Sequence, residues 1–195
     1  NDLQTIVEHC RKHHIKTYLT LNTVLYNEDL KEMRSIINSA KDSGITAIIA
    51  SDIAAIQYAR SVGMEVHIST QLNVSNIESL KFFAQFADVV VLARELNLEQ
   101  IKEIAKAIEK ENITGPSGNL IRIELFIHGA LCMAISGKCY LSLHAKNYSA
   151  NRGKCLQICR RSYIVKDKES ERELEIDNEY IMSPKDLKTI HFLNK

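Results

Sequence analysis

The 195-residue chain has no tryptophan, only two prolines and seven glycines, and 6% aromatic residues. So few breakers leave room for long regular elements, and no low-complexity segment or repeat is visible. A charge excess is also lacking: 25 Lys and Arg face 24 Asp and Glu, for a net charge of +1. That balance argues against a globally basic nucleic-acid binder. No apolar run is long enough to cross a membrane. The opening NDLQTIVEHCRKHH carries no apolar signal core, so the expected location is cytoplasmic. Three catalytic signatures are missing as well. No strand runs into GxGxxG, and neither GxSxG nor HExxH occurs, which removes the Rossmann phosphate loop, the nucleophile elbow and the zincin helix.

What the chain does have is a steady alternation of apolar runs and amphipathic stretches. IKTYLTLN (15–22), TAIIAS (46–51), EVHIST (65–70), DVVVLA (88–93) and LIRIELFIH (120–128) read as strands. Helical patterns occupy 28–43, 52–62, 76–86 and 98–111, the first two closed by Gly44 and Gly63. A Gly-Pro-Ser-Gly turn at 115–118 precedes the last strand, and a sixth strand is expected near Tyr180–Met182. This alternation predicts βαβ units and a parallel sheet. The runs at 46–51 and 88–93 are apolar on both faces, as buried parallel strands are.

Polar residues follow the strands: Asn22, Ser51 and Asp52, Gln71 and Asn73, Arg94 and Glu95, and His128. Polar groups at strand C-termini are how a barrel builds its active face, so the fold expected is α/β, of (β/α)8 TIM-barrel type. A closed barrel needs eight strands and about 250 residues, so this chain is expected to hold about five to six of the eight units. Residues 1–195 then form a single partial barrel with a Cys-rich insertion at about 129–162. The unpaired edges of such a sheet predict a homo-oligomer.

Glu124 and His128 lie four apart on the expected strand, so alternation turns them to one face with Arg122 and Phe126. Ile121, Ile123, Leu125 and Ile127 take the other face, toward the helices. A carboxylate and an imidazole facing a barrel interior make an acid–base pair. The competing reading is a structural hydrogen-bonded layer. Arg94 and Glu95 join Glu124 and His128 as catalytic candidates. Asn22, His67, Gln71 and Asn73 are substrate-binding candidates at the same mouth.

Four of the five cysteines, Cys132, Cys139, Cys155 and Cys159, fall in one stretch, separated by six, fifteen and three residues. The fifth, Cys10, lies far upstream. A chain of this length builds a core without covalent staples, and an odd cysteine count does not suit a disulfide framework. Plain buried thiols remain one reading. A metal or iron–sulfur site is the other, with the four clustered cysteines as ligands. The spacing is looser than the CxxC pairs of a zinc ribbon and does not choose the metal. Lys138, Arg152, Lys154, Arg160 and Arg161 crowd the same stretch, where cations favour thiolates and offset cluster charge. Otherwise they form a solvated basic loop, or a phosphate-binding patch for RNA in which Arg152 and Arg160 contact substrate and Tyr140, His144 and Tyr148 stack bases.

The segments Glu124-Leu-Phe-Ile-His128-Gly129-Ala-Leu-Cys132, Ser136-Gly137-Lys138-Cys139 and Asn151-Arg152-Gly153-Lys-Cys155-Leu-Gln157-Ile-Cys159-Arg160 resemble the signature region of the collagenase-like peptidases, family U32. Thr20-Leu-Asn22, Ser69-Thr70-Gln71-Leu-Asn73, Leu92-Ala-Arg94-Glu95-Leu and Met182-Ser183-Pro184-Lys185-Asp186-Leu187 extend the resemblance over nearly the whole chain. It implies a barrel whose opening strands, and the strand after Asp186, are missing here. It also implies an enzyme. Some members are named for collagenase-like peptidase activity, and others act in oxygen-independent hydroxylation of RNA bases or of the ubiquinone ring. The hydroxylating members are associated with a four-iron, four-sulfur cluster, which the cysteine run matches; zinc in its place, or no cofactor, is the alternative. RNA or a small aromatic metabolite is the implied partner, with peptide as the alternative and a non-catalytic assembly module as a third reading. Lys188 stands where many relatives carry a further cysteine, which leaves Cys159 to supply the fourth thiolate.

Overall fold

The structure is a computed structural model that describes residues 2–176 and 180–192. The chain divides into two compact units, Asn1–Leu125 and Phe126–Lys195.

The first unit follows the alternation read from the sequence. Helix α1 (Asp2–Lys12), which the sequence reading did not anticipate, precedes strand β1 (Tyr18–Leu21). Then come α2 (Leu30–Ser43), β2 (Ala47–Ala50), α3 (Ile53–Ser61), β3 (Glu65–Ile68), α4 (Ile77–Ala84), β4 (Val89–Val91), α5 (Leu98–Lys110) and β5 (Arg122–Glu124). The helices begin where polar side chains satisfy their free N–H groups. Asp52 accepts from Ala54 N–H at 2.9 Å and Asn76 from Ser79 N–H at 2.9 Å, while Asn97 and Gln100 cap α5 reciprocally. Helix α2 ends on Gly44, whose φ of 80° suits glycine.

All five strands are parallel and lie in the order β1-β2-β3-β4-β5. An order that never reverses, joined by right-handed crossovers, puts every helix on one side of the sheet. The core agrees. Val7, Ile37, Ile56, Leu80 and Ile104 from the five helices pack with Ile48, Val66, Ile68 and Val90 from the strands. Alternation turns the remaining strand residues to the opposite face. The register aligns Thr20, Ile49, His67, Val89 and Arg122 in one row across the sheet.

The sheet is open. Among the described strands, β1 and β5 each have one neighbour. The turn leading to β5 is tightly packed: a Cβ at Gly115 would fall 2.8 Å from Asp88 Cα and 2.9 Å from the Ala87 carbonyl oxygen. Gly115→Ala is therefore expected to destabilise the first unit by about 1–3 kcal/mol, because the obstacle is backbone that cannot swing aside. Chemical denaturation followed by circular dichroism measures this.

The second unit is built differently. Strand β6 (His128–Gly129) pairs antiparallel with β9 (Leu187–Lys188). Between them lie helix α6 (Leu141–Lys146), short 3-10 turns at Ala150–Arg152 and Ile158–Arg160, and an antiparallel hairpin of β7 (Tyr163–Lys166) and β8 (Glu173–Ile176). The hairpin turn is closed by Asp167 Oδ1, which accepts from Glu169 N–H, Ser170 N–H and the Ser170 hydroxyl at 3.0, 2.6 and 2.8 Å. Among the described residues of this unit no hydrophobic side chain is fully buried, whereas Ser136, Ser142 and Ser183 are.

Two expectations are corrected. The run 120–128 is not one strand: β5 ends at Glu124, and residues 125–127 are outside regular strand before β6 begins. Leu125, Phe126 and Ile127 are exposed, so apolar character there does not mark a buried strand. Tyr180–Met182 form a turn and bend instead of a sixth parallel strand. After Asp186 comes the two-residue β9, in an antiparallel pair outside the parallel sheet.

Candidate functional site

The polar residues that follow the strands of the first unit are joined by hydrogen bonds. The Ser51 hydroxyl donates to the Asn22 carbonyl at 2.8 Å and reaches Gln71 Oε1 at 3.1 Å. Asn73, in the left-handed conformation at φ 54°, donates from Nδ2 to the Gln71 carbonyl at 2.8 Å. Thr70 donates to the Leu92 carbonyl at 3.2 Å, which ties this rim to the segment before Arg94 and Glu95. Arg94 is half-buried and Glu95 exposed in the turn after β4. Asn22, Gln71 and Asn73 thus come together at the C-terminal ends of the strands.

His67 sits elsewhere, on β3 itself, and its ring is 2% exposed. It packs against Tyr18 of β1, with ring centroids 4.9 Å apart. Its Nε2 lies 3.3 Å from Glu65 Oε1 and its Nδ1 lies 3.2 Å from Glu124 Oε1 on β5. Arg122 Nη2 adds a 2.9 Å bond to the same Glu65 oxygen. The contacts leap over β4, which contributes only Val89 and Val91 at this level. Side chains of the odd strands β1, β3 and β5 therefore meet above those of the even strands. The expected Glu124–His128 pair does not form on one strand. His128 is exposed in β6 of the second unit, and the imidazole facing Glu124 is His67. Glu65 was missed; its signal was the Glu-x-His alternation in β3, which puts both side chains on the face away from the helices.

The clustered cysteines all lie in the second unit, and none is disulfide-bonded. Cys132 and Cys155 are exposed, while Cys139 and Cys159 are half-buried. Each lies on or beside a residue that ties one loop to another. Arg160, next to Cys159, donates to the carbonyl of Leu131, next to Cys132, at 3.2 Å. Cys139 N–H donates to Asn151 Oδ1 at 3.1 Å. Leu156, next to Cys155, donates from its N–H to the buried Ser142 hydroxyl at 3.1 Å. Two Gly-Lys-Cys turns repeat: Gly137 and Gly153, at φ 74° and 83°, each stand two residues before a cysteine. That repeat was legible in the sequence and went unread.

Burial pushes the Cys159 thiol up, and the charges of Cys132, Cys155 and Cys139 push the same way, with Arg160 opposing between them. The other three sulfurs are thus its electrostatic neighbours. Among the described residues, no three His, Cys, Asp or Glu side chains converge closely enough for one metal ion. Arg160 is engaged inside this unit: its Nη1 pairs with Asp186 at 2.7 Å, and its guanidinium lies 5.8 Å from the centre of the Tyr180 ring. Arg152 is half-buried at the end of its 3-10 turn. Lys154 lies 5.8 Å from the centre of the Tyr148 ring, so the cations and aromatics of this stretch do interleave.

The sequence profile of peptidase family U32 matches residues 1–195. The chain belongs to family U32. A collagenase of Porphyromonas gingivalis is 63% identical over 194 residues, covering 100% of this chain and 47% of that protein. A tRNA hydroxylation protein of Bacillus subtilis is 35% identical over 196 residues, covering 97% of this chain and 44% of that protein. This U32 chain thus spans about half the length of the curated relatives it matches. A solved U32 peptidase has a similar fold, with a TM-score of 0.51 at 14% identity over 66% of this chain and 52% of that one. No helix among the described residues is long and apolar enough to cross a membrane.

Proposed function

We propose that this U32 chain carries the cysteine-bound redox centre of an enzyme for oxygen-independent hydroxylation of an RNA base or a small aromatic ring. The observation that carries this is the make-up of the second unit. No hydrophobic side chain among its described residues is fully buried, yet burial and then the charges of three neighbouring thiols hold a fourth, Cys159, above its ordinary pKa. A unit without an apolar core needs another source of stability, and a thiolate-bound metal centre is one. Cys132, Cys139, Cys155 and Cys159 fit an iron–sulfur cluster better than one zinc ion. Zinc gathers its four ligands on a single centre, whereas each cluster thiolate binds a different iron. The cluster, when bound, would supply one-electron chemistry. The chain's own part is to hold the four thiolates and offset their charge with Lys138, Lys154 and Arg160. Thiol ligands of this kind belong in a compartment that keeps them reduced, the cytoplasm.

The open sheet is proposed as part of a (β/α)8 barrel. Its unreversed strand order, one-sided helices and side chains meeting from alternate strands all support that reading. Further strands, from this protein or from a second copy, would add at β1 and β5. The rim of Asn22, Gln71, Asn73, Arg94 and Glu95 would then receive substrate at the mouth.

The second reading is a peptidase, which the 63% identity to a protein named collagenase favours. The experiment is direct competition between the two. Protein isolated without oxygen, with dialysable cell extract added as the source of oxygen donor and two-electron oxidant, is offered unmodified tRNA and rRNA with nucleoside mass spectrometry as the readout, and labelled gelatin with fragment release as the other. The first reading expects a hydroxylated nucleoside and intact gelatin. Cleaved gelatin with unaltered RNA would establish the second.

A further inference from the structure

One ring atom in the first unit is left over. His67 is 2% exposed on β3, and its Nδ1 is sealed from solvent without a hydrogen-bond partner. Buried nitrogens in that state are rare and call for something to satisfy them. The surroundings of this one are ordered. Nε2 lies in line for a hydrogen bond with Glu65 Oε1 at 3.3 Å, and Arg122 Nη2 holds the same oxygen at 2.9 Å. A carboxylate so engaged accepts, so Nε2 donates and Nδ1 keeps its lone pair. Glu124 Oε1 lies 3.2 Å from Nδ1, out of line for a hydrogen bond. Among the described residues, Glu124 has no other ion-pair partner. Two acceptor atoms thus lie side by side with no donor between them.

That spacing suits a divalent cation. Two ligand atoms each about 2.1 Å from one ion, at an angle of about 100°, lie about 3.2 Å apart. An ion bridging them also sets the oxygen about 40° off the lone-pair axis of the nitrogen, so the pair is out of line for a hydrogen bond. Glu65 supplies a further feature of such sites: a carboxylate that takes the far N–H of a ligating imidazole and fixes its tautomer and tilt. We propose that His67 Nδ1 and Glu124 Oε1 bind a divalent cation of the manganese(II) class, with Glu65 and Arg122 as positioning residues behind the imidazole. One imidazole, one carboxylate and water suit such an ion, which prefers oxygen to thiolate. Only two protein ligands meet here, in keeping with the lack of a three-residue metal cluster among the described residues. The Glu124 side chain is 43% exposed, so water or a substrate oxygen completes the coordination. None of the cysteines takes part, so the site stands or falls apart from the redox centre.

The test adds manganese(II) chloride to the isotope-labelled 195-residue chain and follows line broadening by nuclear magnetic resonance. Sub-stoichiometric metal is expected to broaden His67, Glu124 and their neighbours on β3 and β5 first. Glu124→Gln, at a half-exposed position, is expected to weaken binding about ten-fold or more. Glu65→Gln leaves both ligand atoms in place, yet should weaken binding about ten-fold while the amide fingerprint stays that of the parent. Arg122→Gln acts only through Glu65 and should weaken binding by a smaller factor; this exposed position serves if the glutamate variants fold poorly. No broadening on β3 and β5 at millimolar metal would overturn the proposal and leave His67 a static bridge between two carboxylates. Binding unchanged in Glu124→Gln would also overturn it, as an adventitious ion only.

Discussion

Cys159→Ser, in protein isolated without oxygen, should lower bound iron about ten-fold or more and bleach the visible absorbance of the cluster. Cys159 is the thiol most involved with its neighbours. Burial acts on it first, and the charges of Cys132, Cys155 and Cys139 all reach it. It also adjoins Arg160, which fixes the loop of Cys132 through the Leu131 carbonyl. Because no hydrophobic side chain of the second unit is fully buried among its described residues, loss of the metal centre should speed amide exchange there. The first unit keeps its own core of Ile37, Ile56, Leu80 and their neighbours, so its exchange should hold. Cys10→Ser, on α1 in the first unit, is the control and should retain the iron. Full iron in Cys159→Ser would remove this thiol from the ligand set.

Arg160→Met should destabilise the second unit by about 1–3 kcal/mol, the range for lost charged hydrogen bonds. The Arg160 side chain is 13% exposed, and it joins Leu131, Asp186 and Tyr180 at once. Asp186, about half exposed, is screened by water, so that pair contributes the smaller share. Asp186→Asn should therefore cost less than Arg160→Met, since Arg160 keeps its bond to Leu131. Thermal unfolding of both variants checks the order. If the two cost the same, the weight lies in the ion pair and not in the tether to the Cys132 loop. Arg160→Met should also retain less iron than the parent, because that tether holds two cysteine-bearing segments together.

Much of the first unit was legible because its signals are local. Apolar runs such as AIIA and VVV mark buried parallel strands, and Asn97 with Gln100 marks a helix start within four residues. The strand rim was legible for the same reason, since Asn22 follows β1 directly and Gln71 and Asn73 lie in and just after the short 3-10 turn beyond β3. What failed was the extent of β5. LIRIELFIH alternates smoothly through residue 128, and nothing local reveals that pairing with β4 stops at Glu124. The error carried into the site: Glu124 was matched with His128 by sequence spacing, when its imidazole comes from β3, across β4. A contact between alternate strands depends on sheet curvature, which periodicity does not encode. The second unit was the hardest to read. Its strands are two to four residues long and its turns are held by single side chains such as Asp167 and Ser142, so neither helical nor strand periodicity has room to develop.

The proposal that the four clustered cysteines hold one four-iron, four-sulfur cluster is tested most directly by Mössbauer spectroscopy. The sample is the anaerobically isolated, iron-57-enriched protein, analysed together for iron and acid-labile sulfide. The account predicts about four irons and four sulfides per chain, in the spectrum of a thiolate-bound cubane cluster. One zinc per chain, or neither iron nor sulfide after anaerobic reconstitution, would contradict it.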